Sequence, residues 1–495
     1  MQLPETPMWQ QVLQRVLTEL ETLRIVHTCR SASLYEDDRI WTLIPAHFRE
    51  QISDSTSAVL QQEGAALADA LLVPFVHTPE STTFLEQKDD LKTTLELAYQ
   101  RLPRRKALQV RKLAPRMGQL LDQLVCFADH NEEHLQLVEV GCGRGLVSQT
   151  LSVALGAQRG RHCLDILGIE QDPRLCALFR RRWARAPQQV EAARCAVRHA
   201  RIECAADIAR HACLARELCD NVTHRSVILA LHGCGALSAY ALRTLDSERC
   251  TLQPEAVICI GCCYHKLRCR DAVAELVPDE AACVEFPLSR WLSQLEGFTF
   301  SALAYGGDAL MNRSSLYLAS TDATALRNPN AMHAQKILRQ HHYRAMLQVV
   351  LSSLATAGDA ELRRRAQMLL EAERDPRWAL LRRMGKRIDQ FNDFAAYARD
   401  GLECLQLPFD PELVQEIAAK YDTPLHRHRC FVFWTLCGRL APLLEALVLL
   451  DRVVYAQECG YHAWIEAAFP AEASPRNRAI IAVRRQVADR CARAA

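Results

Sequence analysis

A glycine-rich turn between an apolar segment and a helical pattern constrains this chain more than any other feature. Residues 137–140 are apolar apart from one glutamate, and Gly141, Gly143 and Gly145 follow at alternate positions before a helical pattern begins. Glycine adopts positive φ at little cost and lets a ligand approach the main chain closely. The pattern predicts either a cradle for a nucleotide-type ligand or only a tight connection between a strand and a helix.

Two common kinds of nucleotide site do not fit the spacing. The dinucleotide fingerprint G-x-G-x-x-G would require glycine at position 146, which is Leu146. The phosphate loop of kinase type also fails, because no Gly-Lys-Ser/Thr follows the turn. The turn therefore favours a ligand other than a nicotinamide or flavin cofactor.

Further apolar runs predict parallel strands on both sides of this turn. The apolar run at residues 164–169 is followed directly by Glu170. Glu170 lies 25 positions after Gly145, close to the spacing of roughly 20 expected for an acidic residue that binds ribose hydroxyls. Asp172 is the competing carboxylate, and Pro173 after it suits the first turn of a helix. A third strand is predicted at residues 200–208, ending at Asp207.

The next two strands end in polar clusters. Residues 226–231 precede His232 and Cys234, and residues 256–261 precede the run Cys-Cys-Tyr-His-Lys-Leu at 262–267. Ligands of open α/β sheets bind at the carboxyl ends of the strands, so we expect the two clusters to converge on one site.

The spacing of Glu139 and the three glycines, E-x-G-x-G-x-G, resembles the first motif of class I S-adenosylmethionine-dependent methyltransferases. The resemblance implies an α/β, Rossmann-like sheet and S-adenosylmethionine as cofactor. It also implies that Glu139 helps to hold the methionine end and that Asp207 contacts adenine. Asp207 can equally be the N-cap of a following helix.

Most of the chain from about residue 100 onward resembles the methyltransferase-like protein 25 family, which includes the ribosomal RNA adenine dimethylase domain-containing protein. The matching segments are residues 232–237, 261–267, 286–291, 338–345 and 474–477. The strand-end His, Cys and Gly residues also resemble a methyltransferase that modifies a tRNA ribose oxygen. The Asn-Pro-Pro-Tyr-like motif of amino-directed adenine methyltransferases is missing, which argues against dimethylation of adenine.

Methyl transfer from a sulfonium requires an aligned acceptor and a group that accepts its proton. We expect His232 to be the general base, with Tyr264 and His265 as positioning groups. Each histidine is otherwise a structural residue, and Tyr264 either stacks on a substrate base or packs in the core.

No metal site is predicted at the same strand ends. The candidate ligands there have suitable side chains, namely His232, Cys234, Cys262, Cys263 and His265, but they lack the paired C-x₂-C spacing of zinc sites, and adjacent cysteines rarely bind one ion. The favoured interpretation is that the cysteines are small buried hydrophobic residues at the strand ends.

Composition favours an intracellular enzyme of the cytoplasm or nucleus. The 21 cysteines are scattered and no signal segment precedes them, which indicates reduced thiols. The longest apolar stretch, near residues 431–450, is interrupted by Arg439, Pro442 and Glu445 and predicts buried core rather than a membrane span. Neither composition nor motifs determine the oligomeric state.

The family resemblance and the arginine-rich segments favour RNA as the substrate, with a protein side chain as the alternative. Residues 174–210 contain nine arginines and no lysine, and residues 101–116 are also basic, although the net charge is only +2. These stretches are either a phosphate-binding face or solvated helix surfaces. A third hypothesis is a non-catalytic scaffold that retains the fold.

The predicted domain order has four parts. They are a helical N-terminal region at 1–125, the first five strands of the methyltransferase core at 126–269, a helical insertion at 270–435, and a closing helix with a β-hairpin at 436–495.

Overall fold

The computed structural model describes residues 7–29, 34–36, 38–76, 134–149, 151, 164–184, 193–216, 224–267, 285–301, 308–321, 332–371, 384–385, 387–469 and 474–485. Residues 77–125 of the predicted N-terminal helical region, with the basic stretch at 101–116, lie outside these residues. The chain divides into two compact units. The sheet unit comprises residues 1–10, 70–298 and 445–495, and the helical unit comprises residues 11–69 and 299–444.

The described part of the sheet unit forms one seven-stranded sheet. The strands are β1 (His134–Val140), β2 (Leu164–Glu170), β3 (Ala193–His199), β4 (His224–Gly233), β5 (Ala256–Gly261), β8 (Tyr461–Ala467) and β9 (Arg478–Arg484). Their order is β3-β2-β1-β4-β5-β9-β8. Strands β1 to β5 are parallel, whereas β9 is antiparallel to both β5 and β8.

The strand order reverses between β1 and β4, which are hydrogen-bonded neighbours. In such a sheet a ligand binds outside the carboxyl ends of the strands at this switch point. The glycine turn follows β1 directly, so the sheet topology brings it to that point. The predicted Rossmann-like α/β fold with a C-terminal β-hairpin is confirmed.

Helices Pro173–Trp183, Ala205–Arg216, Ala236–Arg243 and Arg290–Gln294 belong to the sheet unit, with 3₁₀ turns at Val73–Phe75 and Tyr264–Lys266. The prediction of a third strand at residues 200–208 is wrong, because β3 ends at His199 and a helix begins at Ala205. As the outermost strand, β3 alternates buried Val197 with more exposed neighbours. It therefore lacks the continuous apolar run of a central parallel strand.

The helical unit combines N-terminal helices with residues 299–444, which lie between β5 and β8 in the chain. Its helices, some of which cross a unit boundary, are Pro7–Thr22, Arg24–Thr28, Asp38–Leu43, Ala46–Gln51, Asp54–Leu72, Arg313–Ala319, Met332–Leu354, Ala360–Glu371, Phe394–Cys404, Pro411–Tyr421 and Pro424–Glu458. A 3₁₀ turn at Ile388–Gln390 and a two-stranded pair, β6 (Phe300–Ser301) with β7 (Met311–Asn312), complete it.

The sequence-based boundaries fall after residues 125, 269 and 435, whereas the compact units change over after residues 10, 69, 298 and 444. Long-range contacts account for the grouping of the N-terminal helices. Arg439, on the long helix, pairs with Glu19 and with Glu63, the latter at 2.7 Å.

The helix Pro424–Glu458 has an 18-residue window with mean hydropathy 1.6, long and apolar enough to cross a membrane. Within that window, 89% of the residues are buried in the protein. Such burial is typical of a core helix and favours the core interpretation of residues 431–450.

Candidate functional site

The turn after β1 has the backbone that its glycines predict. Gly141, Gly143 and Gly145 have φ values of 72°, 57° and 69°. The Gly141 N–H donates to the Ile169 carbonyl at 2.9 Å, which ties the turn to the end of β2. Since L-residues with side chains rarely adopt these angles, all three positions favour glycine.

The three glycines nevertheless have different surroundings. A Cβ at Gly145 would lie 2.2 Å from Cδ2 of Phe179, so the helix Pro173–Trp183 packs directly on this backbone. At Gly143, by contrast, no heavy atom of the described residues lies within 4 Å of the position of a Cβ. Gly143 is therefore the open part of the turn, where a ligand can approach the main chain.

Glu170 lies at the end of β2 with its carboxylate beside this opening. Its Oε2 accepts a hydrogen bond from the Gly143 N–H and its Oε1 accepts one from the Asp172 N–H, both at 2.9 Å. A carboxylate has about four lone-pair sites, so each oxygen can still accept a ribose hydroxyl. Asp172 instead caps the following helix, accepting from the Arg174 N–H at 2.8 Å, with Pro173 in the first turn.

Glu139 is buried within β1 and contacts the start of the helix after the turn. Its Oε2 accepts a hydrogen bond from the Ser148 N–H at 3.1 Å and another from the Ser148 hydroxyl. Glu139 thus fixes the position of the helical segment at 146–149 relative to the strand. The sequence drew attention to Glu139, but no local signal identified Ser148 as its partner.

Asp207 lies in the first turn of the helix Ala205–Arg216. Its Oδ2 accepts from the backbone N–H groups of Glu203 and Cys204 at 2.9 and 3.2 Å, and Oδ1 is 3.2 Å from Arg210. A carboxylate that reaches back to the N–H groups before a helix stabilises the helix start. These contacts favour the helix-capping interpretation of Asp207 over an adenine contact.

The ends of β4 and β5 come together as predicted. The pairing of these strands shifts register between Ala230 and Gly233, after which Gly233 lies opposite Gly261. Bulges of this kind often lie next to active sites, where they redirect side chains. The backbone of His232 belongs to β4, but its side chain lies outside the part of the chain that the structure describes.

Three thiols follow these strand ends. The Sγ atom of Cys234 is 3.2 Å from that of Cys262 and 3.7 Å from that of Cys263, and Cys262 and Cys263 are 3.6 Å apart. Contacts with Cys234 and Cys262 lower the pKa of the Cys263 thiol, and the charges of Lys266 and His265 act in the same direction. The predicted convergence of the two strand ends is consistent with this cluster. The spacing of the cysteines along the sequence did not predict it.

Tyr264 and His265 have different environments. The Tyr264 ring is only 2% exposed and lies under the Arg452 guanidinium, whose Cζ is 5.0 Å from the ring centroid. Burial raises the pKa of its hydroxyl well above the usual range. Of the two interpretations of Tyr264, this burial favours packing in the core over stacking on a substrate base. His265 is half-buried beside Cys263, on the same short 3₁₀ turn.

The residues at the switch point fit the cofactor that the sequence predicts. The open face of Gly143 allows close approach to backbone, and the Glu170 carboxylate provides acceptors for vicinal hydroxyls at its side. Two contacts fix the turn in place: Glu139 accepts a hydrogen bond from Ser148, and Phe179 packs against Gly145.

Comparison with known proteins relates this chain to a methyltransferase-domain family model and to a curated methyltransferase-like protein. Residues 105–270 match the family model of a methyltransferase domain. The chain is also similar to "Probable methyltransferase-like protein 25" of Mus musculus, with 24% identity over 267 residues. That similarity covers 52% of this chain and 38% of the mouse protein, so the chain spans well under half of its relative's length.

Proposed function

We propose that this chain, whose residues 105–270 match a methyltransferase-domain model and which is similar to a methyltransferase-like protein, transfers the methyl group of S-adenosylmethionine to RNA. The observation that carries the proposal is the open, positive-φ backbone of Gly143 beside the Glu170 carboxylate, at the switch point of the sheet. When bound, S-adenosylmethionine supplies an electrophilic methyl group bonded to a sulfonium sulfur, and the neutral thioether is a good leaving group.

The chain's own contribution is binding, orientation and proton handling. Glu170 would accept hydrogen bonds from the ribose hydroxyls of the cofactor, and the open backbone at Gly143 would help to hold it. Glu139 holds the start of the next helix through Ser148 and so keeps the turn rigid. Alignment of the acceptor with the methyl group contributes most of the rate, since little other chemistry is required.

The acceptor enters at the ends of β4 and β5. His232, the penultimate residue of β4, takes the proton that the acceptor loses as its new bond forms. His265, on the 3₁₀ turn after β5, helps to orient the acceptor. Tyr264 contributes no contact to substrate, because its ring is buried.

RNA is favoured over protein by the basic segment 174–210 and by the resemblance to a family that includes a ribosomal RNA adenine dimethylase domain-containing protein. Binding that neutralises phosphates releases counterions, so its affinity falls steeply with salt. A steep decrease in bulk RNA binding between low and moderate salt supports an RNA substrate. Salt-independent behaviour, with labelled methyl groups appearing in protein, would favour the protein substrate instead.

The cofactor is tested by calorimetric titration of the full chain with S-adenosylmethionine, comparing it with Gly143→Val. The branched side chain projects into the open face, so we expect the variant to lose at least tenfold in affinity. Gly297→Val is the matched control, because Gly297 also has positive φ, 78°, and open space at its Cβ position. It introduces the same kind of backbone strain outside the turn.

Loss of binding in Gly143→Val, with binding kept in Gly297→Val, supports the cradle. Absence of binding to the folded, unaltered chain contradicts it and favours the scaffold hypothesis. Binding without methylation of any acceptor in a cell extract also favours a scaffold.

A further inference from the structure

The cysteine cluster after β4 and β5 has a geometry of its own. Cys234 is exposed, and Cys262 and Cys263 are half-buried, so an ion from solvent can reach the sulfur atoms. The three Sγ–Sγ distances are 3.2, 3.6 and 3.7 Å. The three sulfur atoms therefore form a nearly equilateral triangle beyond the carboxyl ends of β4 and β5.

These distances match the sulfur spacing of a tetrahedral thiolate site. With Zn–S bonds of about 2.3 Å and tetrahedral angles, neighbouring sulfur atoms lie about 3.8 Å apart. The sulfurs would need to separate by only a few tenths of an ångström to bind an ion. A disulfide requires about 2.05 Å between sulfurs, so the three cysteines are not joined to one another by disulfides.

We propose that Cys234, Cys262 and Cys263 bind one zinc ion as a three-thiolate site, with water as the fourth ligand. Among the described residues, no fourth His, Cys, Asp or Glu atom joins the three sulfurs within 4.8 Å of all of them. An open fourth position is typical of catalytic rather than structural zinc sites. Zinc binding depends only on this cluster, and it stands whether or not the chain transfers methyl groups.

Charge and proton balance are consistent with such a site. Each thiol that binds releases its proton to solvent, and three thiolates with Zn²⁺ leave a net charge of −1. Lys266, on the 3₁₀ turn after the cluster, acts electrostatically on Cys234 and Cys263 and compensates this charge. Thiolates are soft ligands, which favours zinc over magnesium or calcium.

The test uses the full chain purified under reducing conditions without chelator. Elemental analysis should find about one zinc per chain. Replacement by Co²⁺ should give a sulfur-to-cobalt charge-transfer band in the near ultraviolet and the strong visible bands of tetrahedral cobalt. Both signals should disappear in Cys262→Ser and in Cys234→Ser.

Cys404→Ser is the matched control, because Cys404 is also a half-buried free thiol but belongs to the helical unit. It should keep the metal and both cobalt signals. Zinc should also protect residues 234, 262 and 263 from alkylation, as read by mass spectrometry. Failure of the folded chain to bind Zn²⁺ overturns the proposal, and so does undiminished zinc in the double variant Cys262→Ser, Cys263→Ser.

Discussion

At the scale of single residues, Gly145 and Gly143 have the same backbone conformation but different tasks. Gly145 lets Phe179 pack against the turn, whereas Gly143 has open space above it. The turn thus owes its position to Gly145 and its capacity to admit a ligand to Gly143. The role of Gly145 can be tested by measuring the stability of a variant, and the role of Gly143 by measuring cofactor affinity.

Gly145→Ala should destabilise the protein strongly. A side chain at φ 69° costs about 1 to 2 kcal/mol, and overpacking against Phe179 adds about 1 to 3 kcal/mol. Gly297→Ala, at φ 78° with open space, should lose only the first contribution. Urea unfolding followed by circular dichroism measures both free energies. Equal losses in the two variants would show that the contact with Phe179 contributes little.

The sequence alone could locate this turn, because glycine at alternate positions after an apolar strand is a local pattern. It could not separate Gly143 from Gly145, since that difference depends on where the helix Pro173–Trp183 packs. The same limit applies to Tyr264, whose buried position depends on Arg452 from a distant helix.

At the scale of elements, Asp207 shows how a helix start can be mistaken for a strand end. Its carboxylate accepts hydrogen bonds from the backbone N–H groups of Glu203 and Cys204. We therefore expect Asp207→Ala to lower the free energy of unfolding by about 1 kcal/mol. The affinity for S-adenosylmethionine should be unchanged. Thermal unfolding and calorimetry provide the two readouts. A tenfold loss of affinity for S-adenosylmethionine in the folded variant would instead support the interpretation that Asp207 contacts adenine.

Strands β2, β4 and β5 were predictable because central parallel strands are continuous apolar runs. The closing strands β8 and β9 were also predictable, since a turn at residues 474–477 separates two apolar segments. The position of β3 was missed, because an outer strand is buried less continuously than its neighbours. The cysteine cluster was anticipated only as a convergence of strand ends, because three-dimensional sulfur spacing is not encoded in linear spacing.

At the scale of the whole molecule, the helical unit assembles from segments far apart in the chain. His27, in the helix Arg24–Thr28, has its Nδ1 2.9 Å from the Ser315 hydroxyl and its Nε2 2.9 Å from the Leu20 carbonyl. Periodicity could predict each helix, but the pairing of residues 27 and 315 depends on the complete fold. This buried histidine makes the stability of the helical unit dependent on pH.

The neutral form of His27 is the one that fits its site. Burial, with a smaller contribution from the charge of Arg24, lowers its pKa from 6.5 to about 4. Between these values the unfolded chain binds more protons than the folded chain, so stability falls as pH falls below 6.5. One such group contributes a loss of about 2 kcal/mol at pH 5.

His27→Gln should therefore reduce the acid sensitivity of the helical unit, since glutamine is polar but does not titrate. Urea unfolding at pH 7 and pH 5 should show a smaller difference for this variant than for the unaltered chain. His47→Gln, at an exposed position of the same unit, is the control and should keep the original difference. If His27→Gln loses as much stability on acidification as the control does, the acid sensitivity arises from other groups. If the difference shrinks by about 2 kcal/mol, this single histidine accounts for its predicted share and links the N-terminal helices to the pH response of the unit.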